Sequence, residues 1–201
     1  GVVLACSHTG AWDLAALGAA ARGLRLSVLS RNLSNEGLDR IWNERRSRCG
    51  LTILDDSAPL ERILAAVAPG RALALMMDQR TGPRQGGILI PFLGRPAWTT
   101  TVPAAVAMRT RAPLFAVHGR IRADGQPEVQ IRRVEQGSGC GGVVGSIRST
   151  SRRLNASLES HILRHPASWL WLHRRWILPP PFPSGRPSGK QRPQEKPVQE
   201  H

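Results

Sequence analysis

The stretch "RALALMMD", residues 71–78, constrains the fold of this chain more than any other. Its apolar residues run unbroken from Ala72 to Met77 and leave no polar face for water. A strand of this kind must be covered on both sides, which is the position of an inner strand in a parallel sheet between helices. Three more short apolar runs precede it: "GVVLACS" (1–7), "LRLSVLS" (24–30) and "LTIL" (51–54). Between them lie helical patterns over about 13–22, 36–48 and 59–68. Such alternation predicts an α/β fold, with a mixed, largely parallel central sheet flanked by helices.

Further along, "ILIPFLG" (88–94) reads as an edge strand, because Pro91 cannot donate to a central ladder. A helix over about 101–110 leads to "APLFAVHGRI", which pairs with "PEVQIRRV" as a hairpin around Asp124-Gly125. The last helix is predicted over about 144–164, with Ile147, Leu154, Leu158 and Ile162 on one stripe. With 201 residues and 41% apolar content, one main core is expected. We assign residues 1–178 to one domain and the proline-rich, basic 179–201 to a disordered tail.

The formal charge of +14 predicts anionic partners, such as phosphorylated lipid head groups, nucleic acid or an acidic protein. Residues 1–178 hold 24 Arg and no Lys. Arginine grips phosphate bidentately, although a compositional bias of the genome accounts for the preference equally well. Three widely spaced cysteines give neither a disulfide framework nor a zinc site, and no metal or cofactor is expected. No stretch approaches the roughly 18 apolar residues of a membrane span.

The stretch "SHTGAWD" places His8 and Asp13 five apart. On one helix they would diverge by about 140°, so they can meet only if His8 ends the strand and the chain turns at Gly10. Asp13, in the first helical turn, would then reach back to the imidazole and make its other nitrogen a general base. Alone, this spacing is more often a strand-end histidine beside an acid that favours a helix N-terminus. Ser7 should point away from His8, no G-x-S-x-G elbow occurs, and Cys6 reads as a small buried hydrophobe. Arg31 directly follows a strand, where α/β proteins hold anions. Arg40, Arg45, Arg46 and Arg48 read mainly as solvated helix face. Asp78 and Gln79 end a strand at the same sheet edge as His8, and a glycine-rich loop follows. The segment "RHPASWLWLHRRW" (164–176) reads either as an interfacial Trp/Arg belt or as a strand alternating buried Trp169, Trp171 and His173.

Four blocks, in order, resemble the lipid A biosynthesis (late) acyltransferases of the H-x4-D glycerolipid acyltransferase superfamily. They are "HTGAWD", the segment from Arg31 to "RRSRCG", "DQRTGPRQGGILIPFLGRPAWTTT" and "HPASWLWLHRRW". The resemblance covers about residues 1–177. It implies acyl transfer from an acyl carrier protein thioester, or acyl-CoA, to a hydroxyl of a phosphorylated lipid A precursor at the cytoplasmic face of an inner membrane. It also implies His8 as general base, Asp13 as its orienting partner, and Arg31, Arg46, Asp78, Gln79 and Gly82 around the acceptor. Two departures are that the family often has an aromatic residue and Glu where this chain has Ala11 and Asp13, and that the family has a hydrophobic segment expected ahead of residue 1. Another lipid acceptor, a lysophospholipid or amino-acid lipid, satisfies the same motifs. A basic nucleic-acid-binding module is the alternative of a different class, but no nucleic-acid motif is present and the arginines are dispersed.

Overall fold

A computed structural model describes residues 1–137 and 141–176; the tail expected at 179–201 and Cys140 lie outside these described residues. In chain order the elements are β1 (Val2–Cys6), α1 (Trp12–Ala21), β2 (Arg25–Ser30), α2 (Glu36–Arg48), β3 (Thr52–Asp55), α3 (Leu60–Ala65) and β4 (Arg71–Met76). There follow β5 (Ile88–Phe92), β6 (Arg95–Thr99), α4 (Val102–Thr110), β7 (Leu114–Ile121), β8 (Pro127–Val134) and α5 (Gly142–Arg164), with single 3-10 turns at Pro83–Gln85 and Pro166–Ser168.

Six strands form one sheet in the order β3-β2-β4-β1-β7-β8. Every neighbouring pair is parallel except β7 with β8, which closes as an antiparallel hairpin. The fold is therefore the mixed, largely parallel α/β sheet that the alternation predicted. β4 is an inner strand, and its apolar run divides between two cores by strand alternation. Leu73 and Leu75, with Val3 and Ala5 of β1, pack with residues of α3, α4 and α5. Ala72 and Ala74 face the other way, with Leu26, Leu51 and Ala20 of α1. Small residues on this second face let α1 lie close to the sheet. By contrast, α2 buries no residue and carries Leu38, Ile41 and Trp42 exposed.

Pro91 is accommodated because β5 pairs only with β6, in a separate two-stranded sheet that the apolar pattern did not reveal. That hairpin is tied to α5: the Leu93 N–H donates to Glu159 Oε1 at 2.7 Å, and the Asn155 amide donates to the Pro91 carbonyl at 3.2 Å. The segment after α5 is not an alternating strand. It makes one bridge, Trp169 to Thr9, and Trp171 is 51% exposed where alternation would bury it.

The register of β1 on β4 pairs Cys6 with Met76. Two residues beyond that rung, the chains place His8 and Asp78 at the same level of the sheet edge. Leu73, fully buried between sheet and helices, tests the two-sided packing. Leu73→Ala is expected to lower the unfolding free energy by about 2–5 kcal/mol in urea titration, with an unchanged denaturant slope. A loss below about 1 kcal/mol would contradict this packing.

Candidate active site

The site is built on the turn that carries β1 into α1. Ser7 is buried, and its hydroxyl lies 2.8 Å from His118 Nδ1 and 3.0 Å from Thr9 Oγ1. The Gly119 N–H donates to Thr9 Oγ1 at 2.8 Å. On the other side, the Gly10 N–H donates to the Ser168 carbonyl at 2.7 Å, and the Leu170 N–H donates to the His8 carbonyl at 3.0 Å. Gly10 has φ +57°, and a Cβ there would fall 2.6 Å from the Arg120 backbone nitrogen, so both backbone shape and space require glycine. The chain thus turns at Gly10, with His8 at the strand end and its ring projecting to the sheet edge.

The carboxylate that meets His8 is Asp78. Asp78 Oδ1 lies 2.9 Å from His8 Nδ1, and Oδ2 accepts the His8 backbone N–H at 3.0 Å. The Trp169 indole N–H donates to the same Oδ2 at 2.9 Å. Burial alone would push the Asp78 carboxyl up. The hydrogen bonds and charge of His8, with the Trp169 donor, outweigh it and hold the acid below the ordinary carboxylate value. An ionised acceptor on Nδ1 fixes the proton there and leaves Nε2 as the basic nitrogen.

The expected partnership of Asp13 with His8 is corrected by this geometry. Asp13 sits in the first turn of α1, but its Oδ1 accepts from Arg46 Nη2 of α2 at 2.7 Å. The first turn of α1 stays beside the imidazole through Trp12, whose ring centroid is 5.1 Å from it, but the Asp13 carboxylate is bonded to Arg46, while the parallel register brings Asp78 to His8. Arg46 in turn lies over the Trp42 ring, 5.0 Å from its centroid.

A cavity of about 870 Å³ opens beside His8. Its floor is apolar, formed by Cys6, Ala16, Val28, Leu51 and Ala74, and its rim includes Asp13, Arg31, Arg46 and Gln79. Arg31 pairs with Asp56 at 3.0 Å, with its side chain 78% exposed, so the pair is held weakly and the guanidinium is accessible. Gly82 lies outside the lining, on the loop beyond Thr81, where its N–H donates to Gln85 Oε1 at 3.2 Å. Burial first, then the charge of Asp78, pushes the Cys6 thiol up to about 12, so it stays protonated beside the cavity. Among the described residues, no group of three or more His, Cys, Asp or Glu side chains is placed to hold a metal ion.

Two functional residues escaped the sequence reading. Trp169 is one of the tryptophans of the 164–176 segment, but only the fold shows its N–H on Asp78. His118 lies beneath the turn, between Ser7 and Ser157 Oγ at 3.0 Å. Burial, followed by the nearby His161, pushes its imidazole down to about 4. Between the ordinary histidine value and 4, the unfolded chain binds a proton that the folded chain refuses. Folding stability should therefore fall as pH drops from about 6.5 to 4, by up to roughly 3 kcal/mol from this residue. Urea unfolding of His118→Gln across that range is expected to show a flatter pH dependence than the parent; an identical dependence would contradict this assignment.

A strand-end histidine oriented by a buried carboxylate, above an apolar cavity with an arginine rim, is an arrangement that can act as a general base on an apolar substrate bearing anionic groups. Residues 1–177 match the family described as bacterial lipid A biosynthesis acyltransferase, and the chain belongs to that family. Among curated proteins it is similar to a phosphatidylinositol mannoside acyltransferase of Mycolicibacterium smegmatis, 25% identical over 181 residues that cover 88% of this chain and 57% of that protein. A protein of the same name from Mycobacterium tuberculosis is also 25% identical, over 88% of this chain and 55% of its own length. The chain thus spans little more than half the length of these relatives. No helix among the described residues is long and apolar enough to cross a membrane.

Proposed function

We propose that this chain carries the catalytic centre of an O-acyltransferase that moves a fatty acyl group from a thioester to a hydroxyl of a phosphate-bearing glycolipid. The observation that carries this reading is His8, with Nδ1 held by buried Asp78 and Nε2 left as base at the cavity. The donor is acyl carrier protein or coenzyme A thioester. Family membership supports a lipid A precursor as acceptor, and the names of the mycobacterial relatives support a phosphatidylinositol mannoside. Both are glycolipids with phosphate and free sugar hydroxyls.

The chemistry follows from the geometry. His8 Nε2 takes the proton of the acceptor hydroxyl as its oxygen bonds to the thioester carbon. Asp78 stabilises the imidazolium formed, and the carbonyl electron pair moves onto oxygen. When the pair returns, the C–S bond breaks and the imidazolium proton passes to the departing thiolate. The products are an ester and a thiol. The thioester is already activated, so no protein nucleophile is needed; Ser7 is buried against His118, and the Cys6 thiol, though it lines the cavity, is held protonated.

The apolar floor suits the acyl chain, each buried methylene contributing about 0.8 kcal/mol. Arg31 and Arg46, with Gln79, suit an acceptor phosphate; Asp13 holds Arg46 in place, and Gly82 contributes loop shape beside them. The acceptor is membrane lipid; exposed Trp12 and Leu33 line the cavity, and α2, which supplies Arg46 to it, also carries exposed Leu38, Ile41 and Trp42 with Arg40 and Arg45. That mixture suits peripheral contact with an anionic lipid surface, consistent with the cytoplasmic face of an inner membrane.

The test supplies each donor, palmitoyl-CoA and palmitoyl acyl carrier protein, with each acceptor, a phosphatidylinositol mannoside and a lipid A precursor, and follows products by mass spectrometry. A product heavier by one acyl group is expected for at least one pairing, and none for His8→Ala. Asp78→Asn is expected to lower kcat by about 10²–10⁴-fold, as loss of an imidazole-orienting carboxylate does. Asp13→Asn is expected to act mainly on acceptor KM. Full activity in His8→Ala, or an Asp78→Asn enzyme that matches the parent, would overturn the mechanism.

A further inference from the structure

His8 shares its cavity with a second imidazole, His173. The backbone N–H of Arg80 donates to His173 Nε2 at 2.7 Å. A ring nitrogen that accepts carries no proton, so the ring is neutral and its one N–H is on Nδ1. Burial, with the charges of Arg175, His8 and Arg80 set against that of Asp78, favours the same neutral form.

The ring is also fixed in place. The Arg175 N–H donates to the His173 carbonyl at 2.8 Å. Arg175 is itself buried, with Nη2 donating to Thr99 Oγ1 at 2.8 Å, Nη1 donating to the Trp98 carbonyl, and its guanidinium lying over Phe92. The tryptophan-rich segment therefore ends in an anchor that clamps the backbone of His173 against β6.

His173 Nδ1–H has no acceptor among the described residues. A fixed donor without a partner among the described residues, in the cavity that holds the general base, is suited to substrate. Other polar groups on the rim are less suited: Arg31 and Arg46 serve the acceptor phosphate in the reading above, and no hydrogen bond among the described residues fixes the Gln79 amide.

We propose that His173 is a catalytic residue, its Nδ1–H donating to the thioester carbonyl oxygen as negative charge develops there. This rests on the acyl-transfer reading above. No proton moves at His173. The oxyanion gains a hydrogen bond while the new C–O bond forms, and it returns its electron pair when the C–S bond breaks. A neutral imidazole held by a backbone N–H is preorganised for this, because it need not reorient during reaction.

The test crosses two enzymes with two donors. Parent and His173→Ala are assayed with palmitoyl-CoA and with its dithioester analogue, in which sulfur replaces the carbonyl oxygen, using whichever of the two glycolipids the parent acylates. With the thioester, His173→Ala is expected to lower kcat about 10²–10³-fold, while donor KM stays within about threefold. With the dithioester, whose sulfur accepts hydrogen bonds poorly, the loss should shrink below about tenfold. An equal loss with both donors would overturn the proposal, because a role confined to folding or positioning does not distinguish them. His173→Glu, whose carboxylate can still accept the Arg80 N–H but carries no hydrogen to donate, should lose at least as much rate as His173→Ala. Recovery of the parent rate would assign the effect to the Arg80 contact and overturn the proposal. A parent enzyme that acylates neither glycolipid with palmitoyl-CoA or with palmitoyl acyl carrier protein would overturn the acyl-transfer reading itself, and the role of His173 with it.

Discussion

The interactions of one buried carboxylate hold the site together. Asp78 is 3% exposed, and its two oxygens accept from the His8 ring, the His8 backbone and the Trp169 indole. A buried charge is costly unless it is paired and hydrogen-bonded, so the three donors must arrive together. They come from the end of β1 and from the segment after α5, while the acceptor ends β4. Packing of the whole sheet and of the last helix is therefore required before His8 acquires a defined tautomer.

A second polar layer supports the first from below. Ser7, Thr9 and His118 bond one another across the β1–β7 pair, and His161 Nε2 donates to the Gly119 carbonyl at 3.0 Å. Burial, set against that bond, holds the His161 imidazole below its ordinary value, as it does for His118. The neutral histidines make the turn at Gly10 rigid at neutral pH and sensitive to acid. Rigidity there matters because a general base must remain within hydrogen-bond reach of the acceptor hydroxyl.

Much of the fold was legible in the sequence because strand and helix periods are local. "RALALMMD" announced an inner strand, and Leu73 and Leu75 do face one core while Ala72 and Ala74 face the other. Strand order is not local. That β4, rather than β2, lies beside β1 is decided by how the crossover helices pack, and the order brings Asp78 rather than Asp13 to His8. Asp78 was already placed at the right sheet edge by its position after the apolar run; its partner was not readable. The pairing of Asp13 with His8 is what the family resemblance implies, whereas the residue that Asp13 meets, Arg46, comes from a different helix. The tryptophan block misled in another way. Alternation would bury Trp171 with Trp169, but the single turn Pro166–Ser168 ends the helix and leaves an irregular strap with only one bridge to Thr9. The role of Trp169 is in a side-chain N–H, which hydrophobic patterning does not report.

The central claim is that Asp78, and not Asp13, sets the tautomer of His8. The most direct measurement is nitrogen-15 NMR of histidine-labelled protein at neutral pH, comparing the parent with Asp78→Asn and Asp13→Asn. The account predicts that the parent and Asp13→Asn show His8 protonated at Nδ1 with Nε2 unprotonated, and that Asp78→Asn loses this preference. A His8 signal unchanged in Asp78→Asn and altered in Asp13→Asn would contradict it.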